Sequence, residues 1–176
     1  MRLNTTNITG WRLAKKTKGV KAKPMTALIS DPSVASKFLI DTLEGREPIG
    51  KGTVFCIGEA GDAWQQDSNK LLKKYNILTI DPDGWMICEP KPENETNAVQ
   101  VTDEVLALVC PDYPKGDNIF EASIPFTIIG HWGAVVGAEK NVQTGRTGDY
   151  LCQNPADPTD VWIVAKKIFE NTYSFK

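Results

Sequence analysis

The sequence predicts a strand-dominated α+β fold, built from two similar small modules with short helices around an apolar shared core. Three observations predict it. Fourteen glycines and eleven prolines in 176 residues suit a turn-rich chain and argue against a helical bundle. Short β-branched and aromatic runs alternate with turn signals, while stripes of helical period are brief. The two halves also share a spaced pattern of Gly, Cys, Asp, Trp and Tyr. The length suits one ordinary domain or two of roughly 80–90 residues. One continuous sheet is the alternative arrangement.

Asp31-Pro32-Ser33 is a helix-start or turn signature, and the run that follows to Gly45 reads as a helical turn passing into a strand. Thr53-Val54-Phe55-Cys56-Ile57 is a buried strand, and residues 58–62 form a loop. Asp67 or Ser68 caps a short helix in which Leu71, Leu72 and Tyr75 are expected on one face. Residues 77–80 and 85–90 flank Asp81-Pro82-Asp83-Gly84, where Pro and Gly fit successive turn positions, so a hairpin is predicted. Residues 91–97 are polar and read as a linker between modules 1–90 and 98–176. Residues 98–109 read as a strand. The apolar stretch Ile124–Gly137 reads as two strands turned near Gly130–Gly133 and is placed in the shared core. Gly148-Asp149-Tyr150-Leu151-Cys152 opens a further strand, residues 153–160 read as a loop, and 161–173 as a strand entering a terminal helical turn.

The formal net charge is −2, yet residues 1–30 hold seven basic side chains and no acidic one, while the remaining 146 hold 13 basic and 22 acidic. That leading segment is suited to phosphate or an acidic partner, or to docking on its own acidic body, or to solvent. An acidic body repels a phosphate backbone, which disfavours nucleic acid as a partner. No apolar run approaches the roughly 18–20 residues that span a bilayer, and no secretory signal is read in the first thirty residues. The expectation is a cytoplasmic protein, in the host cytoplasm if the chain is viral, without a membrane partner. Cys56, Cys88, Cys110 and Cys152 lie 32, 22 and 42 residues apart with a single histidine in the chain, which predicts buried reduced thiols and no metal site.

The comparison of halves carries most. Gly52 through Cys56 aligns with Gly148 through Cys152 at an offset of 96, and Asp62-Ala63-Trp64 with Asp160-Val161-Trp162 at an offset of 98. Trp64 precedes Tyr75 by eleven residues, as Trp162 precedes Tyr173. Each half therefore reads Gly, strand, Cys, loop, Asp-x-Trp, short helix, Tyr. Two readings follow: two related pockets with an aromatic wall each, or a Trp and a Tyr closing each small core.

The segments Thr42-Leu43-Glu44-Gly45, Lys21-Ala22-Lys23-Pro24, Gly148-Asp149-Tyr150-Leu151 and Phe169-Glu170-Asn171-Thr172-Tyr173 resemble a family of small phage and prophage proteins with a P-G-D-Y-G-type motif. The likeness covers residues 21–76 in one copy and 98–174 in another. The first copy has Thr53-Val54 where the family has Asp-Tyr, and the second lacks the T-L-E-G strand. The resemblance implies a viral or host-cell context and no particular mechanism.

His131, between Gly130 and Trp132-Gly133, is the only imidazole, and no nucleophile signature accompanies it. No phosphate-binding glycine loop and no calcium loop is present in the sequence. The expectation is a non-enzymatic binding protein with no catalytic residues, no metal and no cofactor. It would hold a small molecule, plausibly nucleotide-like, or a host protein, with counter-defence as the role. The binding candidates are Asp62, Trp64, Tyr75, Asp160, Trp162, Tyr173, His131 and Trp132. An enzyme on a nucleotide-like substrate using His131, a virion assembly protein, and a homo-oligomer are the alternatives.

Overall fold

The computed structural model describes residues 1–25, 39–42, 45–48, 52–110, 113, 123–130 and 142–176, and of 39–42 and 45–48 the backbone alone. In chain order the strands are β1 (Arg12–Lys16), β2 (Val20–Pro24), β3 (Leu39–Thr42), β4 (Gly45–Pro48), β5 (Thr53–Gly58), β6 (Ala63–Asp67), β7 (Tyr75–Ile80), β8 (Met86–Pro90), β9 (Glu95–Gln100), β10 (Pro125–Ile129), β11 (Val142–Arg146), β12 (Tyr150–Asn154), β13 (Asp157–Val164) and β14 (Tyr173–Phe175). Three seven-residue helices join them: α1 (Ser68–Lys74), α2 (Asp103–Val109) and α3 (Lys166–Thr172). The fold is strand-dominated α+β.

Two antiparallel five-stranded sheets hold ten of these strands, and β3–β4 and β10–β11 form separate two-stranded ribbons. The N-sheet runs β6-β5-β2-β8-β7, and the C-sheet runs β13-β12-β9-β1-β14. The same succession of elements stands at the same positions in both. An edge strand (β6, β13) follows its neighbour (β5, β12), then enters a helix (α1, α3) whose exit strand (β7, β14) forms the opposite edge.

Register agrees residue by residue. Ala22 pairs Cys56, which pairs Trp64; Ala98 pairs Cys152, which pairs Trp162. Tyr75 lies opposite Pro90, and Tyr173 opposite Lys16. Helices α1 and α3 each end on a tyrosine, whose N–H donates to a carbonyl four residues back, Leu71 in α1 and Phe169 in α3. Lys91 N–H donates to the Lys74 carbonyl as Thr17 N–H does to Thr172. Gly52 and Gly148 precede β5 and β12 with φ of +70° and +99°, a region that favours glycine.

The helices form for local reasons. Asp67 caps α1 by accepting from Asn69 and Lys70 N–H, and Thr102 caps α2 by accepting from Val105 N–H. Each terminal helix buries one large side chain against its sheet: Leu71 in α1 is 1% exposed, and Phe169 in α3 is also 1% exposed. Such burial contributes roughly 1.5–3 kcal/mol each.

Several expectations are corrected. The basic leading segment is neither tail nor docked arm, because β1 and β2 are interior strands of the two sheets and Lys16 is buried. Strand pairing does not follow the division at 91–97. Strand β1 lies between β9 and β14, and residues 95–97 already belong to β9. Residues 103–109, read as strand, form α2, where Leu106 and Val109 share the buried side at a spacing of three. Residues 157–160, read as loop, begin β13. Leu72 is exposed rather than on the face of Leu71 and Tyr75. Strand β10 pairs with residues 142–146, and 131–141 lie outside the described residues, as does the helical turn expected at 33–38.

Among the described residues the apolar core falls into three clusters rather than one shared body. Phe126 and Ile128 of β10 pack with Leu3, Ile8, Leu106, Leu151, Val161 and Ile163, a cluster holding no N-sheet residue. A second cluster lies in the N-sheet around Val20, Ala22, Val54, Cys56 and Leu71. A third lies on the C-sheet under α3 around Ala14, Ala98, Tyr150, Cys152 and Phe169. Among the described residues no helix is long and apolar enough to cross a membrane.

Candidate functional site

A cavity of about 170 Å³, partly open to solvent, lies between the two sheets. Strands β6 and β13 supply its walls, with α1, α3 and β14 at its sides. Six of the eight binding candidates line it: Asp62, Trp64, Tyr75, Asp160, Trp162 and Tyr173. His131 and Trp132 lie outside the described residues.

The two indoles are held alike and covered crosswise. Each stands on its edge strand beside a fully buried cysteine, Cys56 or Cys152. Lys16, from the C-sheet, sets its Nζ 5.7 Å from the centroid of Trp64, in the N-sheet. Lys74, from α1 beside the N-sheet, sets its Nζ 4.7 Å from that of Trp162, in the C-sheet. Lys16 Nζ also lies 4.4 Å from the Tyr173 ring. Cation–π contacts of this kind contribute about 0.5–2 kcal/mol each, more as water is excluded.

The two acids are held differently. Asp160 Oδ2 accepts from Lys70 Nζ at 2.6 Å and from Asn154 Nδ2 at 3.2 Å. Asn154 occupies in the C-sheet the place of Gly58 in the N-sheet, at the same offset of 96 as the paired cysteines. With glycine there, Asp62 packs its carboxylate where a Cβ would stand, and among the described residues Oδ1 is buried without a hydrogen-bond partner. The buried amide of Asn94, on another residue lining the cavity, is turned to the Tyr75 hydroxyl. Unsatisfied buried polar atoms are rare and call for an explanation such as a bound group.

Three ammonium groups (Lys16, Lys70, Lys74) face two carboxylates. Lys16 is 5% exposed and its Nζ donates to Thr172 Oγ1 at 3.1 Å. Burial pushes its amine down to about 8, outweighing the opposing pull of Asp62. Burial also lowers the half-buried Lys74, against the pull of Asp160. The phenols of Tyr75 and Tyr173 are raised by burial, and the Cys56 thiol is pushed up to about 12, which leaves it protonated and inert.

Sequence reasoning missed Lys16, Lys70, Lys74 and Asn94. A signal for Lys16 existed: in Arg12–Lys16, Ala14 and Lys16 share one face of a strand, so a buried alanine carries the lysine inward.

No protein-family model matches the chain, and no curated protein or solved structure matches it either.

Proposed function

We propose that the chain is a non-enzymatic binding protein that holds a compact planar molecule in the inter-sheet cavity. The observation that carries this reading is the convergence of Trp64, Trp162, Tyr75 and Tyr173 on one cavity beside Asp62 Oδ1, buried without a hydrogen-bond partner among the described residues. Aromatic walls with a few polar groups are what ligand pockets are made of. A dry cavity of about 150 Å³ admits a benzene ring, so the volume here suits one ring. That fits the base of a nucleotide-like ligand, with an anionic substituent drawn to the excess of ammonium groups.

We further infer that the two sheets descend from one duplicated module. The matching strand order, the Ala–Cys–Trp rows and the equivalent helix exits support this. The phage-type context and a counter-defence role rest on the sequence resemblance alone.

Native mass spectrometry of the full chain drawn from expressing cells tests the binding reading, followed by thermal melts with nucleosides and nucleoside monophosphates. A retained small mass is expected, lost in Trp64→Leu. A ligand at a hundredfold excess over its Kd stabilises by about 2.7 kcal/mol. Absence of both a retained mass and any stabilisation overturns the reading.

A protein partner is the second reading. Edge strand β7 leaves Leu78 59% and Ile80 64% exposed, an apolar edge without a charged residue from Asn76 to Ile80. Sedimentation of the wild type against Leu78→Lys distinguishes self-association from a monomer.

A further inference from the structure

We propose that Lys16 is a covalent attachment site, its ε-amine condensing with the carbonyl carbon of an aldehyde or ketone held in the cavity to form an imine. The proposal rests on the cavity being a ligand site and adds what the ligand does there. Lys16 lines the cavity yet its amine has no carboxylate within ion-pair distance among the described residues; the one hydrogen bond Nζ makes there goes to a neutral hydroxyl, Thr172 Oγ1. That hydroxyl in turn donates to the Ile168 carbonyl at 2.7 Å, which orients its lone pairs toward the amine. The rings of Tyr173 and Trp64 flank the nitrogen, so a planar carbonyl compound stacked there presents its carbon to Nζ.

The other two amines are less suited. Lys70 is tied to Asp160 at 2.6 Å, and Lys74, although its amine is also lowered by burial, feels the pull of Asp160 and lies over one ring, Trp162, where Lys16 has two.

The chemistry balances without any further reagent. The nitrogen lone pair forms the C–N bond while the carbonyl π electrons move to oxygen, which takes a proton. Loss of that oxygen as water, with the second proton coming from nitrogen, leaves the C=N bond. The step needs a neutral amine. With the amine at about 8, about a tenth is neutral at pH 7, against roughly one part in three thousand at the usual lysine value. The groups that set this are the burial itself, Asp62 and Glu59 from the loop after β5, Cys152 of β12, and Lys74 of α1.

Benzaldehyde, a single ring bearing a carbonyl, is the probe. It is added in limiting amount to the full chain at pH 7 with cyanoborohydride to trap the imine, and the benzyl group is located by peptide mass mapping. Lys16 is expected to carry at least about tenfold more label than Lys15, the next residue on the opposite strand face, after allowing for the lower nucleophilicity of a weaker base. The labelling rate at Lys16 should rise with a midpoint near 8, and Lys16→Arg should abolish it. Label spread over surface lysines, with Lys16 no richer than Lys15, overturns the proposal on the wild type alone. Benzyl alcohol, the same ring without the carbonyl, separates the two readings. If it raises the Tm while Lys16 stays unlabelled, ring binding stands and covalent attachment falls. If neither occurs, both fall.

Discussion

The N-sheet and the C-sheet use one strand plan and fill it differently. In both, a Cys–Trp pair stands on the outer two strands and a seven-residue helix exits through a tyrosine. Under α1 the filling is aliphatic, Leu71 with Val20 and Val54. Under α3 it is an aromatic stack: Phe169 lies 3.9 Å from Tyr150 and 4.7 Å from Tyr173, near-parallel to both. Facing the cavity, α1 brings Lys70 and Lys74, whereas α3 offers Ile168 from its own sequence. The backbone plan thus fixes where the cavity lies, and the residues at equivalent helix positions set its polarity, cationic at α1 and apolar at α3.

The difference in filling gives the largest expected effect. Phe169→Ala should destabilise by about 3–5 kcal/mol, and Leu71→Ala by about 2–5. Loss of two ring contacts adds about 1 kcal/mol to the first. Urea denaturation of the two variants checks the order, and Leu71→Ala proving the costlier breaks the contrast.

The second expectation sharpens the electrostatic side. Lys16 has its folded-state amine below the unfolded value, so the unfolded chain binds the extra proton between about pH 8 and 10.5. Stability attributable to Lys16 therefore rises with pH across that window, by up to about 3 kcal/mol, and is lowest below it. Asp62 and Glu59 face the amine from the N-sheet loop, Lys74 from α1 and Cys152 from β12, and the raised phenols and thiols drive stability down in the same alkaline range. The readout is the difference between wild type and Lys16→Met, in which the other groups cancel. A flat difference from pH 7 to 10 contradicts the burial of that amine.

Much of this was legible locally. The strand at 53–58, the Asp67 cap, the hairpin around Asp81–Gly84 and the strand–helix run at 161–172 are written in adjacent residues. Asp81 Oδ1 accepts from Asp83 and Trp85 N–H, the side-chain-supported turn that its sequence implies. The spaced Asp, Trp and Tyr pattern led to six of the cavity's residues. What was not legible is pairing across long separations: nothing within Arg12–Lys16 states that it lies between β9 and β14, because partner choice is a property of the assembled sheet. Helix α2 was misread because Val105, Leu106, Leu108 and Val109 give a β-rich composition, while the capping Thr102 that decides the matter is one residue. The lysines carry no local signal of burial, because charge in a strand, as at Lys16, or on a short helix, as at Lys70 and Lys74, ordinarily faces water.

The acids give a smaller effect. Asp160 has Lys70 and Asn154 as partners, so Asp160→Asn should cost about 1–2 kcal/mol, discounted because the Lys70 side chain is 34% exposed. Asp62→Asn leaves Oδ1 as unpartnered as before, and should cost less than Asp160→Asn in the same melts. Equal losses would mean that the asparagine at 154 and the glycine at 58 make no difference to their acids.

The helix starts differ by the least. Asp67 accepts from two N–H groups at the head of α1, and Asp67→Ala should lose about 1 kcal/mol. At the same point of α3, Ala165 has no side-chain cap, and Asp149 Oδ1 reaches in to accept only from Lys166 N–H at 2.9 Å. No side chain caps the N–H groups of Lys167 and Ile168 among the described residues, so Ala165→Ser should gain about 0.5–1 kcal/mol by accepting from one of them. Opposite signs for the two substitutions, read as shifts in urea midpoint at unchanged slope, are what one backbone plan with unequal caps requires. A loss at Ala165→Ser would mean that Asp149 already satisfies the α3 terminus from outside the helix, and that the two sheets solve the same capping problem by different routes.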